Sequence, residues 1–260
     1  LGTMQTKKLV LLAVEGFSTR VVYNALSREF PVDKVIIENP VPRLKFLQRR
    51  AKKLGLIKVI GQIFFQAGIV PFLKKGSQGR VDEIKSRFDL DDSEIDPSRI
   101  IKVESVNSEQ TADILKGLDP KLVVVNGTRI ISKNILQCVS ARFVNMHAGI
   151  TPMYRGVHGG YWSLVEGKPE TCGVTVHLVD PGIDTGNILG QALISPQEKD
   201  NFVTYPALQL AAGLPLMFRA VMNGLEDKVE VQPYPDGKSG LWSHPAAWEY
   251  LFYRLFKGVK

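Results

Sequence analysis

Cysteine is scarce: the 260-residue chain holds two, Cys138 and Cys172. That excludes a disulfide framework and fits a reducing compartment. Histidine is scarce as well, with four, so each position it occupies needs a reason. Internal repeats and low-complexity tracts are absent. The uncharged stretch VIGQIFFQAGIVPFL (59–73) has fifteen residues, fewer than the roughly 20 an ordinary membrane span requires. Acidic residues are missing from 41–80, which carries ten Lys or Arg. The rest of the chain has 23 basic against 26 acidic residues, so the net charge of +7 is a local feature. It needs a local explanation rather than a chain that wraps nucleic acid throughout. Lysines ahead of LVLLAV resemble a weak signal peptide, but that run is six residues and EGFST stands where small residues would be needed. Leu1–Thr3, before Met4, read as a cloning remnant.

What is present suits a soluble domain. At 28.9 kDa and 44% apolar content, the chain can bury a core as one large domain with a modest extension. KKLVLLAV (7–14) reads as a buried parallel strand, with Ser18 as N-cap of a helix through TRVVYNALSREF and DKVIIEN as the second strand. This βαβ opening predicts an α/β fold with a Rossmann-like, mostly parallel sheet flanked by helices. The first turn has one glycine where a dinucleotide fingerprint has three, so no NAD site is expected.

Residues 43–90 interrupt that rhythm. RLKFLQRRAKKLG sets Leu44, Leu47, Ala51 and Leu54 at helical spacing opposite cations, and the uncharged stretch follows. A helical insertion packed on the domain or on a second subunit, attachment of 43–75 to a membrane surface, and polyanion contact are the three readings. Residues 201–260 read as a helix, broken or restarted near Pro215, and an aromatic-rich tail with Trp242, His244, Trp248, Tyr250, Phe252 and Tyr253. The tail either staples the core or offers a stacking face. The domain expectation is therefore 1–200 as catalytic domain, interrupted at about 43–90, with 201–260 as a helix and extension packed on it.

The polar clusters fall at the ends of expected strands, where open α/β sheets bind ligands. Asn145 and His147 are two apart at the end of ARFVNMH, so both leave the same face, with Met146 turned to the other. Asp184 lies in PGIDTG after the next strand. If those strands are neighbours, an amide, an imidazole and a carboxylate meet in one cleft. Such a trio suits acyl transfer to an amine: the amide and a protonated imidazole stabilise an oxyanion, while the carboxylate raises the imidazole pKa and relays the amine proton. No serine or cysteine takes a nucleophile's place, which favours direct attack. The plain alternative is a strand histidine that is merely hydrogen-bonded.

Asn145, His147, the following TPMYRG and Asp184 within GIDTG together resemble the 10-formyltetrahydrofolate-dependent formyltransferases, most strongly from about 121 to 191. The resemblance implies catalytic roles for Asn145, His147 and Asp184, and no metal. VVVNGTRIIS is similar to the family segment that grips the pterin, which implies cofactor contacts at Thr128, Arg129 and Ile131, with Val179, Asp180 and Ile183 from the second loop. Arg155 and Gly156 fall in the family's turn, where shaping the loop is the expected role; with Gly16, Ser18 and Trp242 they complete the substrate-side candidates.

The family's acceptors differ. After Asp184, 76 residues remain, which leaves too little room for the tRNA-binding barrel of the methionyl-tRNA enzymes, so nucleic acid is not the expected partner. The glycinamide ribonucleotide enzymes hold a phosphate on the first turn; EGFST supplies Gly16, Ser18 and Thr19, yet Glu15 opposes an anion. The sugar-nucleotide branch fits best, with a small amine on a nucleotide-linked amino sugar as substrate. A formyltetrahydrofolate hydrolase and a non-enzymatic binding protein are the remaining alternatives. The expected location is the cytoplasm, with the inner membrane face as a site of peripheral attachment, and a homodimer through 59–73 is open.

Overall fold

The computed structural model describes residues 8–260; the readings of Leu1–Thr3 and Lys7 fall outside them. Leu9–Val14 (β1) has no charged residue and is buried on both faces, Leu9 and Leu11 in one core cluster and Val10 and Leu12 in another. That is the period-two signature of a central strand. Phe17–Ser27 (α1) crosses to Val32–Glu38 (β2), which pairs in parallel with β1. Ile100–Val103 (β3) pairs outside β2, while Leu122–Asn126 (β4) and Arg142–His147 (β5) extend the sheet on the other side of β1, all in parallel. Gly173–Leu178 (β7) then runs antiparallel to β5, and Ile188–Leu193 (β8) antiparallel to β7. The seven-stranded order is β3-β2-β1-β4-β5-β7-β8.

Glu109–Leu118 (α5), capped by the Ser108 side chain, and the single turn Lys133–Leu136 (α6) cover one face. Helix α1 and Tyr205–Leu225 (α8) cover the other. Two local expectations fail here. Ser18 is the second residue of α1 rather than its cap, which is Gly16 and makes no side-chain bond; the Ser18 hydroxyl instead accepts from Asn126 at 3.0 Å. Helix α8 passes unbroken through Pro215. Pro215 itself faces solvent, and the buried face of the helix outweighs the missing N–H.

The insertion is helical: Arg43–Leu54 (α2), Leu56–Phe64 (α3), a π turn at Phe65–Ile69 and Val70–Arg87 (α4). Gly55, at φ +85°, separates α2 from α3. The uncharged stretch is thus part of a 32-residue helical run, Leu56–Arg87, which is long and apolar enough to cross a membrane by length and composition alone. One face of it is nevertheless buried against the protein through Val59, Gln62, Phe65, Val70 and Ile84. Arg80 on α4 forms a buried, two-pronged ion pair with Asp200, at 2.8 and 3.0 Å, tying the insertion to the approach of α8.

The tail returns over the site end of the sheet. Arg155–Gly156 (β6) pairs in parallel with Leu241–Trp242 (β9). Gly159–Val165 (α7) and Ala247–Lys257 (α9) complete a third cluster that contains Tyr154, Tyr161, Trp162, Phe202 and Tyr250. Helices α3 and α9 meet closely at Gly61, where a Cβ would stand 2.3 Å from the Trp248 ring.

Candidate active site

The site is assembled by the end of β5 and the loops after β4 and β7. Strand alternation sends Asn145 and His147 to the same face, and antiparallel pairing sets His177 of β7 directly opposite Asn145. The loop after β7 folds back, with Asp184 in the left-handed region at φ +51°, a conformation aspartate tolerates better than most residues. Asp184 Oδ2 thereby lies 3.3 Å from His147 Nδ1 and accepts the Gly156 backbone N–H at 2.9 Å.

Backbone and side-chain contacts fix the protonation pattern. His147 Nε2 is 2.6 Å from the Tyr154 carbonyl, which can only accept, so the proton sits on Nε2. Gly149 makes that approach possible: a Cβ there would lie 2.4 Å from the Tyr154 oxygen and 2.8 Å from the imidazole. His177 donates from Nδ1 to the Leu178 carbonyl at 2.7 Å. Its Nε2 lies 3.1 Å from Asn145 Nδ2 and 3.7 Å from Asp184 Oδ1, which orients the amide beside the carboxylate. One Asn145 N–H is used in this way, and the second is left for the cavity.

The electrostatics overturn one expectation from the sequence. His147 is 6% exposed, and burial pulls its pKa below the ordinary imidazole value, although Asp184 and the Tyr154 carbonyl pull upward. The ring is therefore neutral at neutral pH, not held as imidazolium by its carboxylate. Burial pushes Asp184 upward, but interactions with His177, His147 and the Gly156 N–H outweigh it and leave the carboxyl below its ordinary range. A bare Nδ1 and a carboxylate oxygen thus face each other, ready to take up a proton.

These groups open into a cavity of about 280 Å³. Asn145, His147, Asp184, Thr128, Arg129, Ile131, Val179, Asp180, Ile183 and Gly156 all border it, as does His177. The Arg129 guanidinium itself turns away to the buried Glu38 carboxylate at 2.6 Å. Four other sequence candidates stand apart from the lining. Arg155 donates to the Ile183 carbonyl at 3.2 Å and so braces the loop. Trp242 stacks on Trp162 and donates to the Met153 carbonyl. Gly16 borders a separate small cavity with Glu15 and Arg20, and Ser18 is bonded to Asn126. His177 was missed because its position opposite Asn145 depends on the reversed strand, which the sequence does not display. The last two histidines pair elsewhere, His158 Nε2 lying 3.0 Å from His244 Nδ1. Burial pulls His158 down to about 3, and burial with the nearby Arg50 charge pulls His244 down to about 4. Among the described residues no cluster of His, Cys, Asp and Glu could hold a metal ion.

The formyl transferase family model matches residues 75–211, more than half of the chain. The chain belongs to the formyl transferase family. It is 34% identical over 119 residues to a methionyl-tRNA formyltransferase of Thermodesulfovibrio yellowstonii, a match covering 45% of this chain and 38% of that protein. To the methionyl-tRNA formyltransferase of Finegoldia magna it is 38% identical over 91 residues, covering 35% and 29%. The matched region thus spans well under half the length of these curated relatives. Among solved structures, a sugar N-formyltransferase from Shewanella sp. superposes with a TM-score of 0.56 at 16% identity, covering 91% of this chain and 77% of that one. Phosphoribosylglycinamide formyltransferase from Streptococcus pneumoniae gives 0.53 at 21% identity, covering 85% and 99%. The formyltransferase PseJ from Anoxybacillus kamchatkensis, solved with UDP-4,6-dideoxy-4-formamido-L-AltNAc and tetrahydrofolate, gives 0.50 at 18% identity, covering 89% and 84%. At these identities the structural likeness is one of fold. It bears out the mostly parallel, helix-flanked α/β sheet expected from the sequence.

Proposed function

We propose that the protein transfers a formyl group from 10-formyltetrahydrofolate to a primary amine, the amino group of a nucleotide-linked amino sugar. The observation that carries this reading is the convergence of Asn145, His147 and Asp184 on one cavity. The cavity suits the folate: two irregular loops, Gly127–Ile131 and Val179–Ile183, flank the trio with apolar walls and peptide groups fitted to a flat heteroaromatic ring. The bound cosubstrate supplies an activated formyl carbonyl. Asn145, oriented by His177, directs its remaining N–H at the oxygen on which charge develops. The proton lost by the attacking amine goes to the His147–Asp184 pair, whose facing acceptor atoms are 3.3 Å apart, and passes from there to the nitrogen that leaves with tetrahydrofolate as its bond to the formyl carbon breaks. Because the His147 donor is committed to Tyr154, the oxyanion role falls on Asn145, and His147 acts as base.

Phosphoribosylglycinamide as acceptor is the second reading, favoured by the 99% coverage of the Streptococcus pneumoniae enzyme. Against it, one of the two first-turn hydroxyls that would grip a phosphate is spent: Thr19 donates to the Val14 carbonyl, whereas Ser18 accepts from Asn126 and keeps its own O–H. The deciding experiment incubates the protein with 10-formyltetrahydrofolate and a panel of amino-sugar nucleotides plus glycinamide ribonucleotide, read by mass gain of one formyl group. Gain on an amino-sugar nucleotide is the expected result. Gain on glycinamide ribonucleotide alone would replace the acceptor, and gain on no amine would remove the transferase reading.

A further inference from the structure

A second cavity, of about 560 Å³, lies outside the formyl-transfer site between α2, α3 and the tail. Its walls are apolar, with Phe46 and Leu47 from α2 and Val59, Ile63 and Ala67 from α3 and the π turn. Four polar side chains break that lining: Arg50, Gln62, Gln66 and His244. Arg50 Nε is buried without a hydrogen-bond partner, and among the described residues no carboxylate forms an ion pair with this guanidinium. Its guanidinium lies 5.1 Å from the centre of the Phe46 ring, and burial pulls its pKa down, so the charge meets an aromatic face but no carboxylate. Gln62 is 5% exposed; its amide donates to the His244 carbonyl at 2.5 Å, while its Oε1 is buried and unpaired. Gln66 and His158 both approach His244 Nδ1 at 3.0 Å, so that nitrogen accepts and the ring proton sits on Nε2. The cavity therefore offers an unpaired cation, a spare acceptor and a spare ring donor above an apolar floor.

Its surroundings say what fits. Phe46 and Ile63 line the cavity and are also exposed, so the mouth opens on the surface. Around it, Leu56, Ile57, Ile60 and Phe64 of α3 and Leu255 and Phe256 of α9 are 41–77% exposed. Single exposed apolar residues mean little, but Leu56, Ile57, Ile60, Ile63 and Phe64 share one face of a nine-residue helix, and such a cluster marks an interaction surface. Of the ten basic residues in 41–80, which has no acidic one, Arg80 is buried against Asp200 and Lys58 pairs with Glu249; the other eight leave the segment positive, a balance that attracts anionic surfaces and repels cationic ones.

We propose that this cavity seats the phosphate head and upper chain of an anionic membrane lipid, docking the protein through the α3–α9 face. The phosphate pairs with the Arg50 guanidinium, whose planar fork matches phosphate oxygens. Gln62 Oε1 accepts from a headgroup hydroxyl. The acyl chain lies along Val59, Ile63 and Ala67, and α3 and α9 rest their apolar residues at the lipid boundary. The lipid site adjoins the catalytic loop, since Gly156 and Val157 line the formyl-transfer cavity and the next residue, His158, touches His244.

The test uses the whole protein with phosphatidylglycerol vesicles, phosphatidylcholine vesicles and the short-chain soluble lipid dihexanoylphosphatidylglycerol. The protein is expected to float with phosphatidylglycerol vesicles but not with phosphatidylcholine at physiological ionic strength, and to bind the soluble lipid by calorimetry. Arg50→Gln removes the phosphate partner and Ala67→Phe fills the chain site; each is expected to weaken binding of the soluble lipid by roughly ten-fold or more. A diazirine-bearing phosphatidylglycerol, used on the unaltered protein, is expected to label residues 46–67 or His244, which keeps the test independent of variant folding. Equal flotation with both vesicle types, unchanged binding in folded Arg50→Gln, or labelling confined to other segments would overturn the site. So would a stable dimer in sedimentation that buries this face and binds no lipid.

Discussion

Acidification from about pH 7 to about pH 5 probes the buried pair His158–His244 directly. Both rings hold folded-state pKa values far below the roughly 6.5 of an unfolded histidine, at about 3 and about 4. The sign follows from proton counting: between those values the unfolded chain binds protons that the native state refuses, so stability falls as pH falls. The contribution is complete above about pH 6.5 and drains away down to the folded values. By about pH 5 each ring costs about 2 kcal/mol, so the pair removes about 4 kcal/mol, a large share of a typical domain's stability. Carboxylates add little above about pH 5, because their unfolded values lie near 4. Urea unfolding at both pH values, followed by tryptophan fluorescence, measures the loss. His147, also pulled down by burial, adds to the loss, so His244→Gln is expected to remove about a third to a half of the pH dependence while leaving the α3–tail contact largely intact. Equal midpoints at the two pH values, with equal m, would refute the assignment of these rings as buried and neutral.

Five further outcomes follow from the geometry. His147→Ala and Asp184→Asn should each lower formyl transfer by about 10²–10⁴-fold with the protein still folded, read as kcat in single-turnover assays. Because burial lowers the His147 pKa, its ring resonances followed by NMR should titrate below about 6.5, and a titration centred above 7 would contradict a neutral buried base. His177→Ala frees the Asn145 amide and should lower kcat by up to about 100-fold with KM little changed. Arg80→Ala strands the buried Asp200 carboxylate and should cost about 3–5 kcal/mol in urea unfolding. Gly213→Ala drives a Cβ to 2.6 Å from Met146 Sδ, between Asn145 and His147 in sequence; a loss of about 1–3 kcal/mol, with reduced activity, is expected.

The sheet was legible because its central strands are short, charge-free apolar runs that leave no solvent-facing alternative. LVLLAV and LVVVN read as β1 and β4 for that reason, and ARFVNMH as β5. The site's outline was legible from the spacing of Asn145 and His147 and from the glycine-flanked Asp184. What escaped depends on partners distant in sequence. Strand direction cannot be read from alternation, so the reversed β7 and the pairing of His177 with Asn145 were hidden. The sign of the His147 shift was misread because the sequence displays the carboxylate but not the burial that outweighs it. Ser18 looks like a cap until Asn126 claims its hydroxyl, and Pro215 looks like a break until the buried face of α8 is seen to hold the helix together.

The short ribbon β6–β9 links distant parts of the chain. Leu241 and Trp242 hold Arg155 and Gly156 in place, and those two residues in turn steady Ile183 and Asp184. A cut or graft near residue 235 would therefore reach the proton-handling carboxylate through just two relays of backbone. A substitution at 241 or 242 is thereby expected to alter turnover without touching any group that meets the reactants.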